Sequence, residues 1–175
     1  TETVYGIGAL ASSEKAVVNL FKLKKRDFSK PLALYFHDFS EILPYVKEIP
    51  VSARRLAEKY LPGPLTIILK ASPSVNSIIR AGKDTVGIRI PDDELTLSLL
   101  KDLGEPLAGT SANISGSKSA TDPETTNEYF PDGIGAVLDS GPSRLKKEST
   151  IVDCSGNNLI IIRHGAIEVD TKIMK

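Results

Sequence analysis

The run Pro31-Leu32-Ala33-Leu34-Tyr35-Phe36 is apolar on both sides of an extended chain. A strand with no polar face belongs in a sheet covered by other elements, and helices are the usual cover. Leu65 to Lys70 is a second apolar run of strand length. Asp84 to Pro91 and Ile134 to Asp139 also have strand character, and the first places Arg89 between two isoleucines. Thr150 to Cys154 and Leu159 to Arg163 flank Ser155-Gly156-Asn157-Asn158, which is a hairpin signal.

Helices are predicted between these strands. Ser13 caps one running to about Lys24, with Ala16, Val17, Leu20 and Phe21 on one face and Glu14 in the first turn. Phe39 to Val46 forms a short helix broken near Pro44. Ser52 caps Ala53 to Tyr60, which stops at Pro62-Gly63-Pro64. Glu94 to Leu103 ends at Gly104, and Asp122-Pro123 opens a helix to about Tyr129. Alternating strands and helices over 175 residues, without repeat or linker, predict one α/β domain with a mixed β-sheet over residues 1–175.

The 22 basic and 22 acidic residues balance, so an anion site must be local rather than spread over the surface. The single Cys154 excludes an internal disulfide, fits a reducing cytoplasm and reads as a core residue. No membrane span or signal peptide is visible, and the expected location is cytoplasmic. His37 and His164 have no partner at metal-ligand spacing, and there is no Walker phosphate loop, nucleophile elbow or dinucleotide fingerprint. Asp92-Asp93-Glu94 after Pro91 reads as a helix start.

What remains is a set of cations and hydroxyls beside strand ends. Pro106 to Gly116, PLAGTSANISG, has the form of a binding loop, its small side chains leaving amides and hydroxyls open to a ligand. Arg26, Lys30, Arg89 and Arg163, with Thr3, Thr85, Ser111, Asn113, Thr121 and Ser149, could hold an anionic small molecule such as a nucleotide. Arg89 is open to two readings, a surface ion pair or an anion ligand, and facing inward it needs a partner. The cations from Lys22 to Lys30 are open to a bland reading too, as a solvated helix end.

Taken in order, TETVYGIG at the start, Lys24-x-Arg26 with Lys30-Pro31-Leu32, Pro62-Gly63-Pro64-Leu65-Thr66, Gly87 to Pro91, TSANISG at 110–116, and Ser149 to Asp153 with Arg163 closely resemble the YrdC/TsaC family. The resemblance covers almost the whole chain. It implies an open, twisted sheet with a concave basic site, and the activity of an L-threonylcarbamoyl-AMP synthase. Such enzymes join L-threonine, bicarbonate or carbon dioxide, and ATP with magnesium, and release pyrophosphate. A separate transferase complex then modifies the adenosine beside the anticodon of tRNA.

Carried over by motif, Thr3, Tyr35, Arg89, Ser111 and Ser149 are expected at L-threonine, with Arg89 as its carboxylate fork. Lys24, Arg26, Lys30, Thr85, Asn113, Thr121 and Arg163 are expected at ATP. No catalytic nucleophile is expected from the protein, because the substrate carbamate attacks; Arg26 and Lys30 stabilise charge.

The sequence departs from the pattern in three ways. The strand and proline that usually precede the opening threonine are absent, so residues before Thr1 are expected to be missing. Tyr35 stands where some relatives carry histidine, and a core aromatic is its other reading. The chain ends at Lys175, as in the short form without a second domain. Lys118 to Thr121 and Ser140 to Lys147 are candidate mobile loops. Competing functions are a tRNA or double-stranded-RNA binder, disfavoured by zero net charge and few aromatics, and a relative that adenylates carbamoyl phosphate, disfavoured by the single cysteine.

Overall fold

In the computed structural model, which describes residues 1–170, capping residues set the helix boundaries. The Ser13 side chain accepts from the Ala16 amide and starts α1 (Glu14–Leu23). Asp93 does the same for α3 (Glu94–Leu103), which stops at Gly104 with φ 65°. Asp122 accepts from Thr125 and starts α4 (Pro123–Tyr129). One start differs from expectation: α2 (Val51–Tyr60) begins after Pro50 with no side-chain cap, and Ser52 lies inside it. Proline presets a helical φ and so can open a helix without a capping oxygen. Phe39–Tyr45 is a 3-10 helix containing Pro44.

The strands are β1 (Gly6–Leu10), β2 (Ala33–Tyr35), β3 (Leu65–Lys70), β4 (Thr85–Arg89), β5 (Leu107–Ser111), β6 (Thr150–Asp153) and β7 (Ile160–Arg163). They form one seven-stranded mixed sheet in the order β1-β5-β2-β4-β3-β6-β7. The β2/β4 and β3/β6 pairs are parallel and the others antiparallel.

Register carries one apolar row across the whole sheet: Ala9, Ala108, Leu34, Ile88, Ile67, Val152 and Ile161. The five central members are buried and pack with Val17, Leu20 and Phe21 of α1 and with Ala53, Leu56 and Ala57 of α2. Cys154 is in the same core, and burial pushes its thiol up to about 12.

The next row points to the opposite face, because side chains alternate along every strand. It runs Leu10, Leu107, Tyr35, Arg89, Thr66, Ile151 and Arg163. Beside it on that face lie Gly8, Gly109, Ala33 and Gly87, whose small side chains leave a hollow above the backbone.

Two expectations are overturned. Pro106 to Gly116 is a loop only in its second half, since Leu107–Ser111 is a strand lying between β1 and β2. Gly109, Thr110 and Ser111 have turn-like chemistry but fit a pleated surface whose open face needs small side chains. Ile134 to Asp139 looks like a strand in sequence and joins no ladder. Of the two candidate mobile loops, the first is tied in: Ser119 and Ala120 are buried, and Ala120 exchanges backbone bonds with Ala112 and Tyr5.

Candidate active site

The opening tripeptide folds over the end of β4. Glu2 and Thr3 are buried, and Arg89, at 2% exposure, donates from Nη2 to Glu2 Oε1 at 2.7 Å and to Thr3 Oγ1 at 3.2 Å. Register puts Tyr35 on one side of Arg89 and Thr66 on the other. Thr66 shares a hydrogen bond with Ser149, Oγ1 to Oγ, at 2.8 Å.

Arg163 crosses from β7. Its Nε donates to the Ser149 carbonyl at 3.0 Å and its Nη2 to Ser149 Oγ at 3.1 Å. The chain returns so closely beneath Ser149 that a Cβ on Gly165 would stand 2.2 Å from the Ser149 carbonyl carbon. A glycine is required there because no rotamer relieves a clash with backbone.

Thr3, Tyr35, Thr66, Arg89, Ser149 and Arg163 line a recess of about 140 Å³. Of the residues expected at an amino acid, it contains all: Thr3, Tyr35, Arg89, Ser111 and Ser149. Of those expected at ATP, it contains Arg26 and Arg163. Arg26 is fixed by its own loop, with Nε donating to the Lys30 carbonyl and Nη2 to the Pro31 carbonyl. Burial pulls the Arg26 and Arg163 guanidiniums below their ordinary value and raises the Tyr35 phenol. Arginines retain their charge near neutral pH, so the recess presents three guanidinium groups, from Arg26, Arg89 and Arg163.

The other expected residues lie outside that wall. Lys24 is buried behind it, with Nζ donating to the Ser111 carbonyl, to the Asn113 carbonyl at 2.6 Å and to Asn113 Oδ1 at 3.1 Å. Asn113 Nδ2 donates to the Ile114 and Ser117 carbonyls, and its Oδ1 also accepts from Ser111 Oγ. In this state Lys24 and Asn113 shape the Ser111–Ser117 turn. Burial, with Arg26 adding to it, lowers the Lys24 ammonium to about 8.

Lys30 is exposed at the rim, and Thr121 donates to Asp122 at 3.4 Å. Thr85 shares the face of Arg89 at the other end of β4, about 13 Å away for four residues of strand.

Residues that the sequence reading did not assign also build the site. Glu2 backs Arg89, while Thr66, Tyr5 and Thr110 line the recess. Glu148 lines it too and accepts from Ser119 at 2.7 Å, which lowers its carboxyl. Glu2, Tyr5, Thr66 and Thr110 lie inside the quoted motifs and Glu148 adjoins one, a positional hint that was present. A larger apolar recess of about 450 Å³ adjoins around β1 and shares Thr1, Tyr5, Gly6, Tyr35, Gly109 and Thr110 with the first.

A family model named Sua5_yciO_yrdC, described as telomere recombination, matches residues 1–165. The chain belongs to the Sua5/YciO/YrdC family. It is 38% identical over 170 residues to the threonylcarbamoyl-AMP synthase of Pyrococcus abyssi, covering 97% of this chain and 50% of the relative. A putative threonylcarbamoyl-AMP synthase of Methanocaldococcus jannaschii is 40% identical over 173 residues, covering 97% and 79%.

Among solved structures, Pyrococcus abyssi Sua5 complexed with L-threonine superposes with a TM-score of 0.92 at 39% identity, covering 94% of this chain and 48% of that one. Escherichia coli YciO gives 0.86 at 25% identity, covering 100% and 84%. The chain thus spans about half the length of the Pyrococcus relative. The α/β fold with one mixed sheet is that of the family. Among the described residues no helix is long and apolar enough to cross a membrane.

Proposed function

We propose that this chain is a threonylcarbamoyl-AMP synthase, a nucleotidyltransferase that makes L-threonylcarbamoyladenylate and pyrophosphate from L-threonine, bicarbonate and ATP. The observation that carries this reading is the buried Arg89 fork, set between Tyr35 and Thr66 and open to a recess with Arg26 and Arg163 on its wall. The relatives' names and the L-threonine complex of the Pyrococcus protein support it. A volume of about 140 Å³ suits a small amino acid, with the nucleotide extending beyond it.

The amine of threonine bonds to the carbon of carbon dioxide, supplied by bicarbonate, and loses a proton, giving a carbamate. A carbamate oxygen then bonds to the α-phosphorus as the bond to the bridging oxygen of the β-phosphate breaks, and pyrophosphate leaves with the electron pair. The nucleophile comes from the substrate, so the protein aligns two anions and offsets their repulsion.

In this reading Arg89 takes the α-carboxylate, and Thr3, Ser111, Ser149 and Tyr35 surround the amino acid. Arg26, Lys30 and Arg163 meet phosphate oxygens, while Thr85, Asn113 and Thr121, with Lys24 behind, complete the nucleotide side. The described residues offer no cluster of three or more His, Cys, Asp or Glu side chains for an ion. Magnesium would enter on the ATP phosphates, whose charge it would help Arg26, Lys30 and Arg163 to neutralise. The product then passes to a threonylcarbamoyl transferase complex that modifies tRNA in the cytoplasm.

The test is pyrophosphate release from ATP and magnesium with L-threonine and bicarbonate omitted in turn. Release that needs both is the expected outcome. Absence of release, with RNA binding that weakens steeply with salt, would overturn the synthase in favour of an RNA binder.

A further inference from the structure

Arg89 and Glu2 form a buried ion pair that is only half made. Each residue is 2% exposed, and one contact joins them, Nη2 to Oε1 at 2.7 Å. Arg89 Nε and Glu2 Oε2 are both buried without a partner. A carboxylate beside a guanidinium commonly makes two parallel bonds. Here the donor and the acceptor that would complete the second bond are both unmatched. Arg89 stands in the wall of the recess and Glu2 does not, so Glu2 acts on a ligand only through the arginine and through its charge.

Charge decides what such an arrangement accepts. Glu2 and Arg89 together are neutral. Arg26 and Arg163, also on the recess wall, are the cations that the proposed function gives to phosphate. An α-carboxylate placed on Arg89 therefore adds an anion beside Glu2 that only a cation brought by the ligand offsets at the same spot, and uncompensated buried charge is costly. In a zwitterionic amino acid the ammonium sits about 3–4 Å from its carboxylate, hence about 6–8 Å from Glu2. At that range, with an effective dielectric near 20, the attraction is worth at least about tenfold in affinity.

We propose that Glu2 is a positioning residue that makes the amino-acid recess selective for a zwitterion: it fixes Arg89 by one oxygen and cancels its charge, so a carboxylate binds well only when its own ammonium comes with it. This rests on Arg89 taking the carboxylate of L-threonine. Selection then acts before chemistry, since only a ligand with an amine can become a carbamate. The other carboxylate at the recess, Glu148, is already engaged with Ser119 and serves as the control.

The test compares calorimetric dissociation constants for L-threonine and (R)-3-hydroxybutyrate, the same carboxylate and hydroxyl without the amine, with a non-hydrolysable ATP analogue present to engage Arg26 and Arg163. The unaltered protein should prefer threonine strongly. In Glu2→Gln the ratio should narrow at least about tenfold, with hydroxybutyrate gaining on threonine. Glu2→Asp keeps the charge on a shorter arm, so both ligands should weaken together and the ratio should hold; Glu2→Ala is the second charge-removing variant, with the same narrowing expected, if Glu2→Gln does not fold. A purely structural role would weaken both ligands alike in Glu2→Gln.

Three outcomes overturn the role of Glu2 alone. They are a ratio unchanged in Glu2→Gln, a ratio that collapses in Glu2→Asp, and a ratio that moves with Glu148→Gln instead. If the unaltered protein fails to bind threonine, or binds it equally well after Arg89→Lys, the amino-acid reading falls and this inference with it.

Discussion

Ile88 and Arg89 are neighbours on one strand, and they belong to opposite halves of the molecule. Ile88 sits in a row of aliphatic side chains that crosses the sheet and is sealed by α1 and α2. Arg89 sits in the next row, among a tyrosine, a threonine and a second arginine, over a floor of glycine and alanine. The first face is stabilised by many interchangeable contacts, none of which is decisive. The second depends on a few directed bonds to distant residues: Arg89 to Glu2 and Thr3, Arg163 to Ser149, Lys24 to Ser111 and Asn113. Substitutions on the two faces should therefore fail in different ways.

The largest contrast comes from the two neighbours themselves. Arg89→Ala removes the guanidinium proposed to hold the ligand carboxylate and leaves the Glu2 carboxylate buried without its ion-pair partner. Threonine-dependent pyrophosphate release should fall beyond detection, and folding should lose about 3–5 kcal/mol. Ile88→Ala should cost about 2–5 kcal/mol through the cavity alone. Its kcat/KM, per folded molecule at low temperature, should stay within about threefold of the unaltered protein. Denaturant titration with steady-state assay separates these. If Ile88→Ala loses turnover as completely as Arg89→Ala, the two faces are not independent.

Lys24 sharpens the comparison because stability and activity should move in opposite directions with pH. Its folded value of about 8 lies below the ordinary 10.5, mainly through burial. Between those values the unfolded chain binds the extra proton, so this group's contribution to stability improves as pH rises, by at most about 3 kcal/mol. The anchor works the other way. Three carbonyl oxygens surround Nζ, and a neutral amine has only two hydrogens to give them. Turnover should fall by up to about tenfold per unit above pH 8, while the melting temperature relative to Lys24→Met rises. A rate that stays flat to about pH 9.5 would show that the charged form is not what holds the turn.

The helix-covered half was the legible one. Ser13, Asp93, Asp122-Pro123 and Gly104 mark helix ends by local chemistry, and Leu65 to Lys70 reads as a strand from its own residues. The open face hid for a physical reason. Gly109, Thr110 and Ser111 look like loop residues because turn propensity and the needs of a hollow sheet face favour the same small side chains. Ile134 to Asp139 misled in the other direction, since a short apolar run shows that a segment could pair and not that an edge is there to receive it. Arg89 announced its need for a partner, but Glu2 lies 87 residues earlier, in a polar opening that carries no sign of burial. The motif residues that meet at the recess were legible as a set. That Lys24 and Asn113 turn toward each other was not, because it depends on how α1 packs against the end of β5.

The smallest expected effect probes the floor of the hollow. A Cβ on Gly109 would stand 3.0 Å from Tyr35 Cε2, 3.2 Å from Cδ2 and 3.3 Å from the Ile7 carbonyl. Gly109 has an extended backbone, so conformational strain is not at issue and crowding by the added methyl is the whole cost. The Ile7 carbonyl belongs to the paired strand β1 and cannot retreat, which leaves the Tyr35 ring to move. Its neighbour across the ladder is Arg89, so the displaced ring presses toward the amino-acid side of the recess. Gly109→Ala should therefore cost about 1–2 kcal/mol of stability, as overpacking does. It should raise KM for threonine about three- to tenfold while leaving KM for ATP within about twofold. Gly109→Ala together with Tyr35→Phe separates crowding from lost polarity, because the phenylalanine ring is as wide and the threonine KM should stay raised. Recovery of that KM in the double variant would mean that the tyrosine hydroxyl, and not the ring's position, sets the fit of this face.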